Sequence, residues 1–451
     1  MLHAAIGAAL EMLYADRLDD VAELLAHHWG RSTDAAKAVD WAIRAGEKAQ
    51  RRWASAEALA HFEAALKRLE AMPDSDENRL RRIDAVVKQS EVKFALGRHA
   101  EQVQALEAIR QLTEGADPPR RAAWLCWTGF LHSLTGARPE VPIAYCTEAT
   151  ALADLAGLDD MRAFAECCLT HVYVVAGRLP EALDTGERAL AFFESRGNVW
   201  WACRTLWGLS MACNAIGEWE KSLGYCRRGL AHGEAVNDLR LKVVGWWRTG
   251  STHIQRGEVE TGLRCCDEAL ALKPIPFDAA MARAMKGFGM ARAGQTAAGI
   301  ALLEEVATWL EQFNLRYTRT LIDLFLAESY LRHGERQQAR VLAESGLAAS
   351  RDLGYRHAEG VAQRLLGECL LGDDPAAAGV QLAEAARILE EAGARNDLAK
   401  TRLAQAELRA SGGDLAAARV LLERAGAVFE ELGTLEGPDR ARRLRETLAA
   451  G

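Results

Sequence analysis

A turn signature recurs along most of this 451-residue chain at a spacing of about 40 residues, and a period of that length confines the fold to a stack of repeated supersecondary units. The turn positions are Gly97, Ala137 beside Gly136, Gly177, Gly217, Gly257, Gly294, Gly334, Asp374 and Gly413. Five residues past most turns stands a small side chain: Ala182, Ser222, Gly262, Gly299, Ala339, Gly379 and Ala418. Twelve past, Ala189, Gly229, Ala269, Gly346, Ala386 and Ala425 repeat the device. The two positions differ by about two helical turns, so both lie on one helix face and let a neighbouring helix approach closely. The expected fold is all-α, an α-solenoid of helical hairpins with about twenty helices and no sheet.

The clearest unit runs from Asp159 to Asn198. Its first helix carries Phe164, Cys168, Val172 and Val175 and stops at Gly177, which enters the left-handed conformation without strain. Pro180 then suits the first turn of the second helix, where its missing N–H has no partner to lose. Asp374-Pro375 repeats that start, with Asp374 as N-cap.

A hydrophobic fraction of 49%, only 10 Pro and no alternating β-branched runs fit this reading. The net charge of −8, from 63 acidic and 55 basic residues, gives no general attraction to phosphate backbones or anionic lipid. Neither nucleic acid nor membrane is therefore expected as a partner. Arg51-Arg52, Arg79 to Arg82 and Arg440 to Arg445 lie near carboxylates and read as solvated helix faces. The ten cysteines include no Cys-x-x-Cys pair. Cys167-Cys168 and Cys265-Cys266 are helix neighbours pointing about 100° apart, suited to neither one disulfide nor one metal. They read as reduced, buried residues of a cytoplasmic protein. Met1 to Leu13 lacks a secretion-signal pattern, and no apolar stretch of about 20 residues is present to span a membrane.

The repeat is longer than the standard 34-residue tetratricopeptide unit. Its turn glycine with small residues at both spacings resembles the longer-helix tetratricopeptide-like repeats of bacterial signalling ATPases. The resemblance implies a right-handed superhelix whose first helices line a concave surface. The repeat pattern itself divides the chain into 1–72, a helical segment with degenerate repeats, 73–432, the repeat array, and 433–451, a capping helix rich in Arg after the break at Gly433 to Pro438. The runs Asp20 to Trp29, Asp34 to Ala49 and Ser55 to Leu66 look like the junction that follows the ATPase module in fusions of that module with a cyclase, kinase or DNA-binding output. On that resemblance Met1 is a boundary within a longer protein or the start of a split gene. The chain departs from the ATPases themselves: Gly30-Arg31-Ser32-Thr33 lacks the lysine and the preceding glycine of a phosphate-binding loop.

No constellation carries chemistry. Glu23 and His27 are one helical turn apart, but His28 points elsewhere, so no metal is expected. Glu57 and His61 read as a surface contact. With no nucleophile elbow and no paired carboxylates, the chain is read as non-enzymatic and free of cofactors. Tryptophan is the informative residue. Of twelve, eight lie between Trp124 and Trp247, and Trp127, Cys167, Trp207 and Trp247 share the position ten residues before the turn. The resemblance puts this position on the concave surface. Such rings are either core spacers between helices or the lining of a groove. The groove reading adds Phe164, His171, Arg204, Met211, Asn214, Ser251, Phe288 and Arg292, a mixture that suits a peptide or a small effector of limited charge. Trp207 with Met211, and Trp247 with Ser251, stand where a carboxylate clamp would carry Lys and Asn. The expected role is a sensory or scaffolding arm that binds a protein, peptide or small effector for an ATPase module in cis or in trans; a plain assembly scaffold without effector is the alternative, and an enzyme with an unrecognised groove site a more distant one.

Overall fold

The computed structural model describes residues 1–52 and 54–450, and of 438, 439 and 448–450 the backbone alone; Trp53, Gly451 and the Pro438 ring lie outside the described residues. Within them the chain forms 24 α-helices and one 3-10 helix, with no strand. Within each unit consecutive helices pack as hairpins, among them Ala35–Arg51 on Ser55–Glu70 in the first and Val199–Ile216 on Trp219–Ala235 in the second, and this is the expected α-solenoid. The chain divides into two compact units, Met1–Leu131 with Glu148–Arg162, and His132–Thr147 with Ala163–Gly451.

In the first unit, Ala35–Arg51 and Ser55–Glu70 pair through Val39, Ile43, Phe62 and Leu69. Gly46 admits the Phe62 ring, which a Cβ there would meet at 2.9 Å. Asp34 caps the first of these helices, its carboxylate accepting from Lys37 N at 3.0 Å. The basic residues here are paired at the surface, Arg79 with Asp74 at 2.8 Å, Arg81 with Asp40 at 2.7 Å and Arg52 with Glu23 at 2.7 Å.

The second unit contains the regular hairpins. Inner helices Val199–Ile216, Leu239–Arg256, Pro276–Arg292, Arg316–His333, Arg356–Leu370 and Arg395–Ser411 alternate with outer helices, and successive inner helices touch directly. The turn glycines behave as their positions require: Gly177, Gly217 and Gly257 have φ of 73°, 102° and 110°. Small residues five past the turn fit close approaches, since a Cβ on Gly262 would lie 2.8 Å from Gly250 O. Asn198, Asp238, Asp374 and Asp414 cap helix starts through their side chains.

Within this unit the coil returns on itself, so the interior is narrower than an open groove. The Gly217 turn abuts the later hairpin: a Cβ there would lie 2.8 Å from Leu432 Cδ1. Trp219 Nε1 donates to Thr434 Oγ1 at 2.9 Å, and Thr434 donates to Asn396 Oδ1 at 3.0 Å. Leu435 N donates to Arg256 O at 2.7 Å, and Tyr355 OH to Ser133 O at 3.1 Å. All ten cysteines are buried as free thiols. Burial pushes Cys167, Cys203 and Cys213 up to about 12, which keeps them protonated.

Candidate binding site

The tryptophan row expected to line an exposed groove is core. Trp207 and Trp247 are each only 6% exposed, and they join Met281, Met285 and Phe288 in one apolar cluster. A Cβ on Gly229 would lie 3.6 Å from Trp207 Nε1, so the indole points into the seam toward the outer helix. The cause is the run of small residues that draws the inner helices together. Gly208 is one example, where a Cβ would stand 3.1 Å from His171 Nδ1. Trp246, half-buried, packs on the edge of the same cluster.

The other residues of the expected groove are placed as follows. Trp127 is buried in the first unit, edge-on to Phe130 at 6.1 Å. Phe164 is buried against Trp201 at 4.4 Å, and Arg204, 4% exposed, lies over the same Trp201 ring at 5.3 Å. Asn214 Oδ1 accepts from Thr252 at 3.0 Å and Ser251 Oγ accepts from Gln255 at 2.9 Å, while Met211 packs half-buried on Val174 and Ala212. His171 is held neutral, pushed down to about 3 by burial and by Arg204 and Arg248. Arg248, also absent from the expected set, lies over the Trp247 ring at 4.2 Å, and burial pushes it down to about 10. Phe288 stacks on Phe325 at 4.4 Å. None of these presents a free aromatic face to a ligand.

Arg292 does line an open space. A cavity of about 650 Å³ lies between the later inner helices and the last helix, Glu436–Ala450, with seven cationic side chains and four carboxylates in its wall. Glu328 is its hub, paired with Arg292 at 2.9 Å, Arg364 at 3.3 Å and Arg332 at 3.4 Å. Burial alone would raise the Glu328 carboxyl, but Arg292, Lys400, Arg332 and Arg364 hold it well below its usual range. Glu368 pairs with Arg364 at 3.1 Å and Arg440 at 3.3 Å, and Arg440 also holds Glu407. From the last helix, Glu436 reaches in to Arg292 at 2.5 Å and to Arg332.

Three cations of the wall form no direct ion pair with its four carboxylates among the described residues. Lys400 has one ion-pair contact, Asp397 at 4.0 Å, and Asp397 is already bonded to His357 Nε2 at 3.0 Å. Burial, opposed by Glu328 and reinforced by Arg292, pushes Lys400 down to about 8. Arg336 and Arg443 form no ion pair with any described residue, and both are exposed at the mouth. By contrast, the charged concavity of the first unit, about 380 Å³, has its cations matched by Asp19, Asp40 and Glu47.

Apart from Arg292, the cavity residues lie outside the expected groove set. The position six before each turn, followed as far as Phe288, continues as Glu328, Glu368 and Glu407. The position of Arg204, thirteen before its turn, becomes Lys400. A column that changes from His, Met and Ser to three consecutive Glu was the available signal. The expectation that Arg440 belongs to a solvated helix face is also corrected, because its guanidinium enters the cavity and is drawn inward by Glu368 and Glu407. In the first unit, His27 is bonded to Arg31 and Glu23 to Lys48, and no group of three His, Cys, Asp or Glu among the described residues could hold a metal. No described helix is long and apolar enough to cross a membrane.

No family model matches the chain, and no curated protein matches it. Among solved structures, NprR in complex with its cognate peptide NprX is similar at a TM-score of 0.56 and 12% identity, over 78% of this chain and 99% of that one. Rap protein complexed with competence and sporulation factor gives a TM-score of 0.49 and 12% identity, over 87% of this chain and 98% of that one. A signal transduction ATPase with numerous domains and a tetratricopeptide repeat sensor, from Pyrococcus horikoshii, gives 0.41 and 13%, over 83% of this chain and 54% of that one. The likeness to NprR is one of fold, a tetratricopeptide-like stack of helical hairpins.

Proposed function

We propose that the chain is a non-enzymatic binding solenoid that takes a peptide or an extended protein segment into the charged cavity of its second unit. The observation that carries this reading is the cavity itself: about 650 Å³ of concave space lined by a preorganised ion-pair network, on the inner face of a fold built of stacked hairpins. Preorganisation lowers the cost of ordering the site when a ligand arrives. The residues from Arg292 to Arg443 contribute from several successive hairpins, so a ligand seated there links elements distant in sequence. Binding would then favour one arrangement of those hairpins over another, the population shift by which a sensory arm reports to an ATPase or other output module in cis or in trans. The proposed setting is the cytoplasm of a bacterium.

The test is a selection of random octapeptides on the full chain, repeated on Leu331→Trp, which places a bulky ring in the cavity wall. Sequences enriched on the wild type and lost on a folded Leu331→Trp support the reading. Equal enrichment on both proteins contradicts it, and a plain scaffold would enrich nothing.

A further inference from the structure

We infer that the cavity selects an acidic peptide segment, whose carboxylates seat against Lys400, Arg336 and Arg443 beside the last helix. The inference rests on the binding reading above and specifies its ligand.

Seven cations and four carboxylates line the cavity, and the four carboxylates are all engaged by Arg292, Arg332, Arg364 and Arg440. The surplus of three falls on Lys400, Arg336 and Arg443. An exposed surplus at the mouth costs little, but Lys400 is largely withdrawn from water, with 16% of its side chain exposed and Asp397 no closer than 4.0 Å. A cation held in that position without a close partner is destabilising unless an anion completes it.

The chain also supplies an internal example of the chemistry. Glu436, delivered from the last helix, enters the same wall and is gripped by Arg292 and Arg332 together. The arginines there accept a carboxylate carried in by another segment, which is the recognition proposed for the ligand. Apolar side chains at Leu331, Leu371, Leu403 and Leu435 alternate with these charges around the wall, so methylene stems of Glu or neighbouring aliphatic residues find packing as well.

The peptide selection decides it. On the full wild-type chain, enriched octapeptides are expected to carry two or more Asp or Glu. A synthetic peptide from that pool should bind the triple variant Lys400→Gln, Arg336→Gln, Arg443→Gln at least about tenfold more weakly, and its affinity for the wild type should fall as salt rises. Lys400→Arg within an otherwise wild-type chain should retain binding, and Arg340→Gln, on an outer helix, should leave it unchanged. Enrichment without acidic residues that Leu331→Trp abolishes would overturn this inference while leaving the binding reading intact. Enrichment that Leu331→Trp leaves untouched would overturn both. Because both Arg336 and Arg443 are exposed, their double variant tests the effect even if loss of Lys400 alters folding, and unchanged affinity there counts against the proposal.

Discussion

Trp207 stands over Gly229: a Cβ on that glycine would lie 3.6 Å from the indole nitrogen. The small residue twelve past the turn and the large one ten before it are two halves of one packing device, in which the outer helix makes room for a ring from the inner helix. The same register pairs Ala269 with Trp247, and both are buried in the structure. Trp207→Ala should therefore destabilise the protein by about 3–5 kcal/mol, the cost of a large cavity. Chemical denaturation measures it. A loss below about 1 kcal/mol would place the ring outside the core.

Gly217 is constrained twice, by a φ of 102° and by Leu432 Cδ1 at 2.8 Å from the site of its missing Cβ. Gly217→Val should cost roughly 2 kcal/mol or more, from left-handed strain and the clash together. Gly413 has φ of 82° but open space around it, so Gly413→Val should cost only the strain, about 1–2 kcal/mol. Equal denaturation midpoints for the two variants would contradict the contact between successive turns of the coil.

Glu328 holds three arginines in the interior of the second unit. Glu328→Gln leaves them facing one another with only Glu368 and Glu436 to share, and should destabilise by about 3–5 kcal/mol. The sign of the pH dependence follows from its depressed pKa. A carboxyl that titrates lower when folded contributes stability at neutral pH and loses it as pH falls below the ordinary carboxylate range. The wild type should thus lose more stability than Glu328→Gln on acidification from pH 5 to pH 3, on the order of 1 kcal/mol or more, as read by melts across that range. Parallel curves would show that Glu328 is not ion-paired in solution.

Lys400 works in the opposite direction. Its folded value of about 8 lies below the ordinary 10.5, so between those limits the unfolded chain binds the proton and the folded chain does not. Stability contributed by this residue rises with pH over that window. Lys400→Met should stabilise the protein at neutral pH by roughly 1–2 kcal/mol, and the advantage should shrink as pH approaches 10. Charged groups facing Lys400 are Glu328, Arg292, Asp397 and Arg364, of which the carboxylates stay ionised throughout. A Met variant less stable than wild type at pH 7 would contradict this account.

The repeat period, the turn positions and the small-residue columns were legible in the sequence because each reflects a local rule: left-handed turns need glycine, and tight seams need small side chains. The position of the tryptophans was legible, but not their burial. That depends on the side chains that close over the rings, among them Met281, Met285 and Phe288, which come from a different inner helix. The charged cavity was missed for a related reason. Glu328, Lys400 and Arg440 each look solvated when read alone, and only the coil that brings the last helix against the inner face makes them one network.

Ligands are expected to enter the cavity and leave the tryptophan row untouched. Hydrogen exchange on the full chain, with and without a peptide enriched by selection, tests it most directly. Protection is expected in Arg316–His333, Arg356–Leu370, Arg395–Ser411 and the last helix, with no change around Trp207 and Trp247. Protection confined to the helices that carry Trp207 and Trp247, or to outer helices other than Arg336–Leu353, would contradict the account.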